Sequence, residues 1–248
     1  MTKNKIILVS GGEGQFATEL KKHNVNNNII LLSRDEMDVS DIKSLDHHVN
    51  SNNPDYFIHA GALTRPMVMH DHQPNKSIRS NIIGTANVVL TCMKYKVKLI
   101  YLSTDYVYPG IEGNYNEEDY LKPFTKYGWS KLGGECSVRL YDNHLILRMA
   151  MNKRPFPHLK ALVDMKKSLM YIDDAAKIVL QILDEYGTIN VGGKSQSVYE
   201  FVKETNHDIG KISLSEIEDV NMAKDCSMDI TKVKMILNEV NPSQNLSV

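Results

Sequence analysis

Tyr127 and Lys131 stand four residues apart in the run Tyr127-Gly128-Trp129-Ser130-Lys131. On a helix that spacing projects both side chains from one face. A phenol ionises near pH ~10, too high for easy proton exchange at neutral pH. A neighbouring ammonium stabilises the phenolate and lowers that value, which makes a usable general acid or base. Upstream, Ser103-Thr104-Asp105-Tyr106 closes an apolar run, and the Thr104 hydroxyl could hold a substrate oxygen in line. Tyr and Lys at this spacing are common by chance, so their company decides their meaning.

That company is a glycine turn. Gly11-Gly12-Glu13-Gly14-Gln15-Phe16-Ala17 follows the first apolar run and opens a helical pattern. Gly11 permits a tight bend, Gly14 lets backbone approach a pyrophosphate, and small Ala17 allows close helix–sheet packing. The second apolar run ends in Ser33-Arg34-Asp35. In a dinucleotide fold that end meets the adenosine ribose, where an acidic residue suits a free 2′-hydroxyl and Arg suits a 2′-phosphate. Ser33 and Arg34 favour NADPH, with NADH as the alternative.

Other chemistry-bearing residues read more plainly. His70-Asp71-His72 has no partner ligands at confirming spacing, so no metal site is expected. His47-His48 lies on a polar helix and should face solvent. Trp129, inside the Tyr–Lys turn, reads as packing. Arg154 with Lys166-Lys167 could meet a pyrophosphate or could be solvated charge.

The elements that must position these residues alternate along the chain. Strand patterns at Lys5–Ser10, Asn28–Ser33, Asp55–Ala60, Lys98–Ser103 and His144–Arg148 are separated by helical ones. The helices are expected over Gly14–Lys22, Ile42–Asn50, Pro74–Lys94 and Thr125–Tyr141. Strands separated by helices imply right-handed crossovers and a parallel sheet covered on both faces. The class is α/β, doubly wound. After Arg148 the pattern loosens, and Lys153–Met170 has no clear periodicity. Ile172–Tyr186 then reads as an amphipathic helix, Gly187–Val191 as a strand and Val198–Thr205 as a short helix. The expected division is a nucleotide-binding domain over 1–150, completed by 171–191, with 151–170 and 192–248 as a smaller interleaved region. The tail from Asn241 is polar and is expected to fray.

Composition sets outer bounds. The 248 residues carry 29 Lys+Arg against 30 Asp+Glu, a net charge of −1. That balance removes the electrostatic argument for nucleic acid or an anionic membrane surface. No apolar run approaches the roughly 18 residues that span a bilayer. Lys5 runs straight into Ile6-Ile7-Leu8-Val9-Ser10, too short for a signal h-region. Cys92, Cys136 and Cys226 are odd in number and unclustered, which argues against a disulfide framework. A reduced, cytoplasmic protein is expected.

Taken together, GGEGQFA, MDVSD, HAGALT, LSTDYVYPG and YGWSKLGGE, in this order, resemble the extended short-chain dehydrogenase/reductases, and most closely their dTDP-4-dehydrorhamnose reductase branch. Weaker likeness runs on through YIDDAAK, INVGG and SMDITKVK. The resemblance implies a Rossmann sheet with a smaller C-terminal substrate-binding region. It implies backbone contacts from Gly14, Gln15 and Phe16 to the cofactor pyrophosphate. Ser33 and Arg34 match the ribose end, Asp38 and Val39 the adenine contacts, and Ala62, Leu63, Thr64 and Leu102 further cofactor contacts. Thr104, Tyr127 and Lys131 match the catalytic triad, with Thr104, Asp105 and Tyr127 touching the sugar. Asn81 matches a supporting position.

The implied activity is NADPH-dependent reduction of a nucleotide-activated 4-keto (6-deoxy) sugar, in the making of a surface polysaccharide or glycan. Tyr127 would protonate the keto oxygen, Lys131 would lower the Tyr127 pKa, and Thr104 would orient the carbonyl and stabilise developing charge. A homodimer is compatible with the resemblance. Two departures fall on the substrate side. Thr64 is followed by Arg65-Pro66-Met67-Val68, and Met151 stands where the family has a Trp at the sugar. The stretch from Met151 to Tyr171 is also short, and its cations, Arg154 among them, suit an anionic diphosphate. The competing readings are an epimerase or dehydratase of the same superfamily, and a non-catalytic regulatory subunit of the methionine adenosyltransferase type.

Overall fold

A computed structural model describes residues 4–217 and 222–240; the tail from Asn241 lies outside the described residues. The first half alternates as the apolar runs require: β1 (Ile6–Ser10), α1 (Gln15–His23), β2 (Asn28–Leu32), α2 (Ile42–Asn52) and β3 (Tyr56–His59). Asp41 caps α2 by accepting from the Lys43 amide, which satisfies one of its free N–H groups. Two short helices, α3 (Val68–His72) and α4 (Pro74–Ser77), lead into a π turn over Ile78–Ile83 and then α5 (Gly84–Tyr95). β4 (Lys98–Thr104), α6 (Lys126–Val138) and β5 (His144–Met149) follow.

The chain then leaves the sheet for β6 (Met151–Asn152), β7 (Lys160–Leu162), β8 (Lys166–Lys167) and β9 (Met170–Tyr171). It returns through α7 (Ile172–Gln181) and β10 (Gly187–Val191), then adds β11 (Gln196–Ser197), α8 (Val198–Lys203), β12 (Gly210–Ile212) and α9 (Thr231–Val240).

The large sheet is parallel throughout, in the order β2-β1-β3-β4-β5-β10. Strand side chains alternate between two cores. Ile7 and Val9 pack with Ala17, Leu20, Ala175 and Val179 on one face, and Leu8 packs with Leu45, Val49, Val88 and Leu99 on the other. The chain steps from β1 out to β2 and back to β3 on the other side. That reversal opens a crevice at the carboxyl ends of β1 and β3, where doubly wound sheets bind ligands.

Two expectations need correction. The expected continuous helix over Pro74–Lys94 is interrupted by the π turn. Within it, the Asn81 side chain bonds Leu63 and Ser130, contacts that helical periodicity cannot register. The helix expected to reach Tyr186 stops at Gln181. Beyond it, the Asp184 carboxylate accepts from Tyr56 and its carbonyl from Lys98, and these hold the chain in a turn. The stretch without clear periodicity, Lys153–Met170, carries short strands. Its strands pair with distant segments, β7 with β12, β8 with β11 and β6 with β9, and such short pairings leave no local period.

Candidate active site

The glycine turn lies at the crevice. Gly11 adopts φ +72°, and a Cβ there would stand 2.8 Å from Gly61 Cα on the loop after β3, so only glycine fits. Gly12 N–H donates to Leu32 O at 2.8 Å and Gly14 N–H to Gly11 O at 2.9 Å, which closes the turn. Gln15 opens α1, Phe16 and Ala17 are buried beneath it, and no side chain caps the helix. Its first amides therefore face the crevice as an anion site.

At the end of β2, Ser33 and Glu36 bond one another reciprocally, Ser33 N–H to Glu36 Oε2 at 2.8 Å and Glu36 N–H to Ser33 Oγ at 3.3 Å. Arg34 stands free of that knot. Its side chain is 73% exposed and its nearest carboxylate oxygen, on Asp38, is 4.0 Å away. Asp38 itself accepts from the Ser40 amide at 2.9 Å. Val39 packs against Gly84 while its carbonyl accepts from Asn87. Beyond β3, half-buried Ala62 and Leu63 lead to exposed Thr64. The Asn81 amide clamps Leu63, accepting from its N–H at 2.8 Å and donating to its carbonyl at 2.9 Å. It also donates to Ser130 Oγ at 2.8 Å, which ties this loop to α6.

Thr104, Tyr127 and Lys131 come together where β4 meets α6. Thr125 caps α6 by accepting from Gly128 N–H at 3.0 Å. A Cβ on Gly128 would stand 2.3 Å from Tyr106 O, so glycine lets the first turn of α6 press against the chain leaving β4. Tyr127 is thereby held beside the Thr104 hydroxyl, which hydrogen-bonds its phenol. Its ring also lies against His70 and Tyr106.

The electrostatics differ from expectation. Burial pushes the Tyr127 phenol up to about 12, and the Thr104 contact only partly offsets this. The Lys131 ammonium donates to Leu102 O at 2.7 Å and lies 4.2 Å from the centre of the Tyr101 ring. With burial outweighing the attraction of Glu135, its pKa falls to about 7. Thr104 has a second partner beside the phenol. Its proton goes to Asp105 Oδ1 at 3.1 Å. Asp105 is 1% exposed, and its other oxygen faces the Lys167 ammonium at 2.8 Å. Both oxygens of Asp105, the expected sugar contact, therefore have partners within the protein.

On the expected substrate side, Met151 is half-buried and pairs with Met170, part of the β6–β9 ladder. Arg154 is not an open cation. It bonds Asp174 at 3.1 Å, lies 3.8 Å from Asp173 and stacks 4.0 Å above the Tyr171 ring. The expectation of a diphosphate contact could not register these acids, because they sit about twenty residues away on α7. Trp129 is 55% exposed rather than packed, since it projects from the opposite face of α6. His70 is buried and bonds Ser77 at 2.7 Å. Among the described residues, no three His, Cys, Asp or Glu side chains gather as a metal site, and no helix is long and apolar enough to cross a membrane.

Sequence reasoning also passed over a buried ion pair behind the site. Glu135, one turn beyond Lys131, accepts from Arg148 of β5 and from Ser103 Oγ at 2.9 Å. Arg148 also donates to the Tyr108 hydroxyl at 2.8 Å. The Tyr–Lys–Glu spacing on one helix face was the available signal.

The family described as RmlD substrate binding domain matches residues 4–152, more than half of the chain. The chain belongs to this family. It is 28% identical over 144 residues to methionine adenosyltransferase 2 subunit beta of Pongo abelii, covering 54% of this chain and 43% of that one. It is 25% identical over 202 residues to dTDP-4-dehydrorhamnose reductase of Aggregatibacter actinomycetemcomitans, covering 72% and 67%. The chain spans about half the length of the first of these curated relatives. Its fold is that of dTDP-4-dehydrorhamnose reductase from Bacillus anthracis, solved in complex with NADP, with a TM-score of 0.84 at 21% identity over 95% of this chain and 92% of that one.

Proposed function

We propose that this chain is an NADPH-dependent reductase of a nucleotide-activated 4-keto sugar. The observation that carries the reading is the meeting of Thr104, Tyr127 and Lys131 at the carboxyl end of β4. The glycine cradle, the uncapped N-terminus of α1 and the exposed Arg34 fit a phosphorylated dinucleotide. When bound, the reduced nicotinamide supplies a hydride. Tyr127 gives its proton to the carbonyl oxygen, and its high pKa keeps it protonated for that step. Lys131, poised near neutrality, is drawn back to its charged form by an anion beside it and then stabilises the phenolate left behind. Asn81 holds the loop after β3 against α6.

The epimerase reading asks for a second acid–base pair. Cys92 and Cys226 are buried thiols whose pKa burial drives upward, and neither suits that work. The regulatory-subunit reading draws on the likeness to methionine adenosyltransferase 2 subunit beta. The deciding assay offers the chain a panel of nucleotide 4-keto sugars with NADPH and identifies the product. Consumption of NADPH with reduction at C4 is expected. Cofactor binding without reduction of any sugar, together with capture of a methionine adenosyltransferase catalytic subunit, would replace this reading with the regulatory one.

A further inference from the structure

The π turn over Ile78–Ile83 stands between the two loops that border the crevice. On one side, the Asn81 amide clamps Leu63 on the loop after β3. On the other, the turn packs against the loop after β2. A Cβ on Gly84 would stand 2.7 Å from Val39 Cγ2 and 3.3 Å from Arg79 O, so both groups lie against the same bare point of the helix. The Asn87 amide adds bonds to the carbonyls of Val39 and Ser40 at 3.1 and 3.2 Å. Gly84 N–H donates to Arg79 O, five residues back. In an α-helix that bond would go to Ser80. The wide turn therefore brings Arg79, in place of a serine, into line with Gly84 and Val39. Helix side chains lean towards the N-terminus, and Asn81 fixes that end at the crevice. Arg79 is exposed, and its guanidinium makes no ion pair or hydrogen bond among the described residues.

We propose that Arg79 is a second anchor for the 2′-phosphate of the dinucleotide, reaching it from the π turn while Arg34 reaches it from the end of β2. This rests on the NADPH reading and extends it to a residue outside the glycine turn and β2. Asp38, next to Val39, senses both arginines. Burial raises its carboxyl, yet its bonds to Ser40 and the charges of Arg34 and Arg79 hold it below the usual range. The Arg34 contact to Asp38 is loose, at 4.0 Å, and the other Asp38 oxygen accepts from Ser40 N–H at 2.9 Å. A phosphate monoester carries more negative charge than a carboxylate and offers three acceptor oxygens. It draws both guanidinium groups away from so weak a contact. Each presents its donors as a planar fork, so two of them share one phosphate through different oxygens. Glu36 does not compete, because its carboxylate is tied to Ser33 N–H at 2.8 Å. A free 2′-hydroxyl brings no charge, so NADH gains nothing from Arg79.

The test is calorimetric titration of the full chain with NADPH, NADH, adenosine 2′,5′-bisphosphate and AMP, which needs neither a sugar nor turnover. Arg79→Ala should weaken NADPH and the bisphosphate about 10-fold, the lower end for bonds to a charged group. NADH and AMP should bind it as they bind the wild type. Arg79→Lys should recover part of the loss, since it keeps the charge without the fork. The double variant Arg34→Ala/Arg79→Ala should bind NADPH no better than NADH. Added salt should weaken NADPH binding more steeply in the wild type than in Arg79→Ala. Equal losses for NADPH and NADH would mean that Arg79 stacks on adenine or supports the fold, and would overturn the assignment. An Arg79→Ala chain with undiminished preference for NADPH would make Arg79 a solvated charge and overturn it too. A wild-type chain that binds NADH as well as NADPH overturns the NADPH reading and this assignment together, whereas failure in the variants alone leaves that reading standing.

Discussion

The large parallel sheet and the stretch from Met151 to Tyr171 are held together by different physics. In the sheet, β1, β3, β4 and β5 are buried on both faces and pair along their lengths, so its geometry follows from apolar burial. In the following stretch the strands are two or three residues long; Leu162, Met165 and Leu169 reach the core, but individual polar contacts place its charged and hydroxyl groups. Asp164 accepts from Ser213 and Leu214, Ser168 bonds Met228, and Lys167 pairs with Asp105. A sheet built on burial tolerates local change; a path built on single contacts places particular atoms. The proposed catalytic residues sit on the first, and Lys167 reaches their neighbour Asp105 from the second.

The comparison can be broken at several points. The largest effect is expected from Tyr127→Phe, which should leave folding and NADPH binding intact and lower turnover by roughly 10²–10⁴-fold. Steady-state kinetics near wild type would remove Tyr127 from the chemistry. Next comes Arg148→Met, which strips the buried partner from Glu135 inside the sheet. A loss of about 3–5 kcal/mol in urea unfolding is expected, because an unpaired charge in a dry site is costly. A small change would mean that Ser103 and Arg139 suffice to hold Glu135.

Arg34→Ala should weaken NADPH by about 1.5–3 kcal/mol in calorimetric titration and leave NADH unchanged, as expected for a bond to a charged phosphate. Equal losses for both would make Arg34 a structural residue. The smallest effect is expected from Arg154→Ala. Its partners are exposed, so stability should change by less than about 1 kcal/mol. The sugar-nucleotide KM should also stay put, because the guanidinium is turned towards α7 rather than left open. A raised, salt-sensitive KM would restore Arg154 as a diphosphate contact.

How much was legible follows the same division. Strands of the first 150 residues announce themselves as apolar runs, and Gly11 and Gly14 mark the turn between the first strand and helix. The π turn at Asn81 was invisible, because its partners, Leu63 and Ser130, are 18 and 49 residues away. Lys167 read as half of a surface cation pair. Only its partner, 62 residues upstream, turns it into part of the site.

From residue types and order alone came the α/β class, the nucleotide-binding turn and the pairing of Tyr127 with Lys131 on one helix face. Each depends on chain-local rules: strand and helix periods, glycine conformations and four-residue spacing. The protonation chemistry was decided by the tertiary structure. It set Tyr127 near 12 and Lys131 near 7, brought the Thr104 hydroxyl to Asp105, and paired Arg154 with Asp174 on α7. A pKa reflects burial and neighbours within a few ångströms, and those neighbours come from distant points in the chain. Spacing names the residues that can exchange a proton; packing decides which of them holds it.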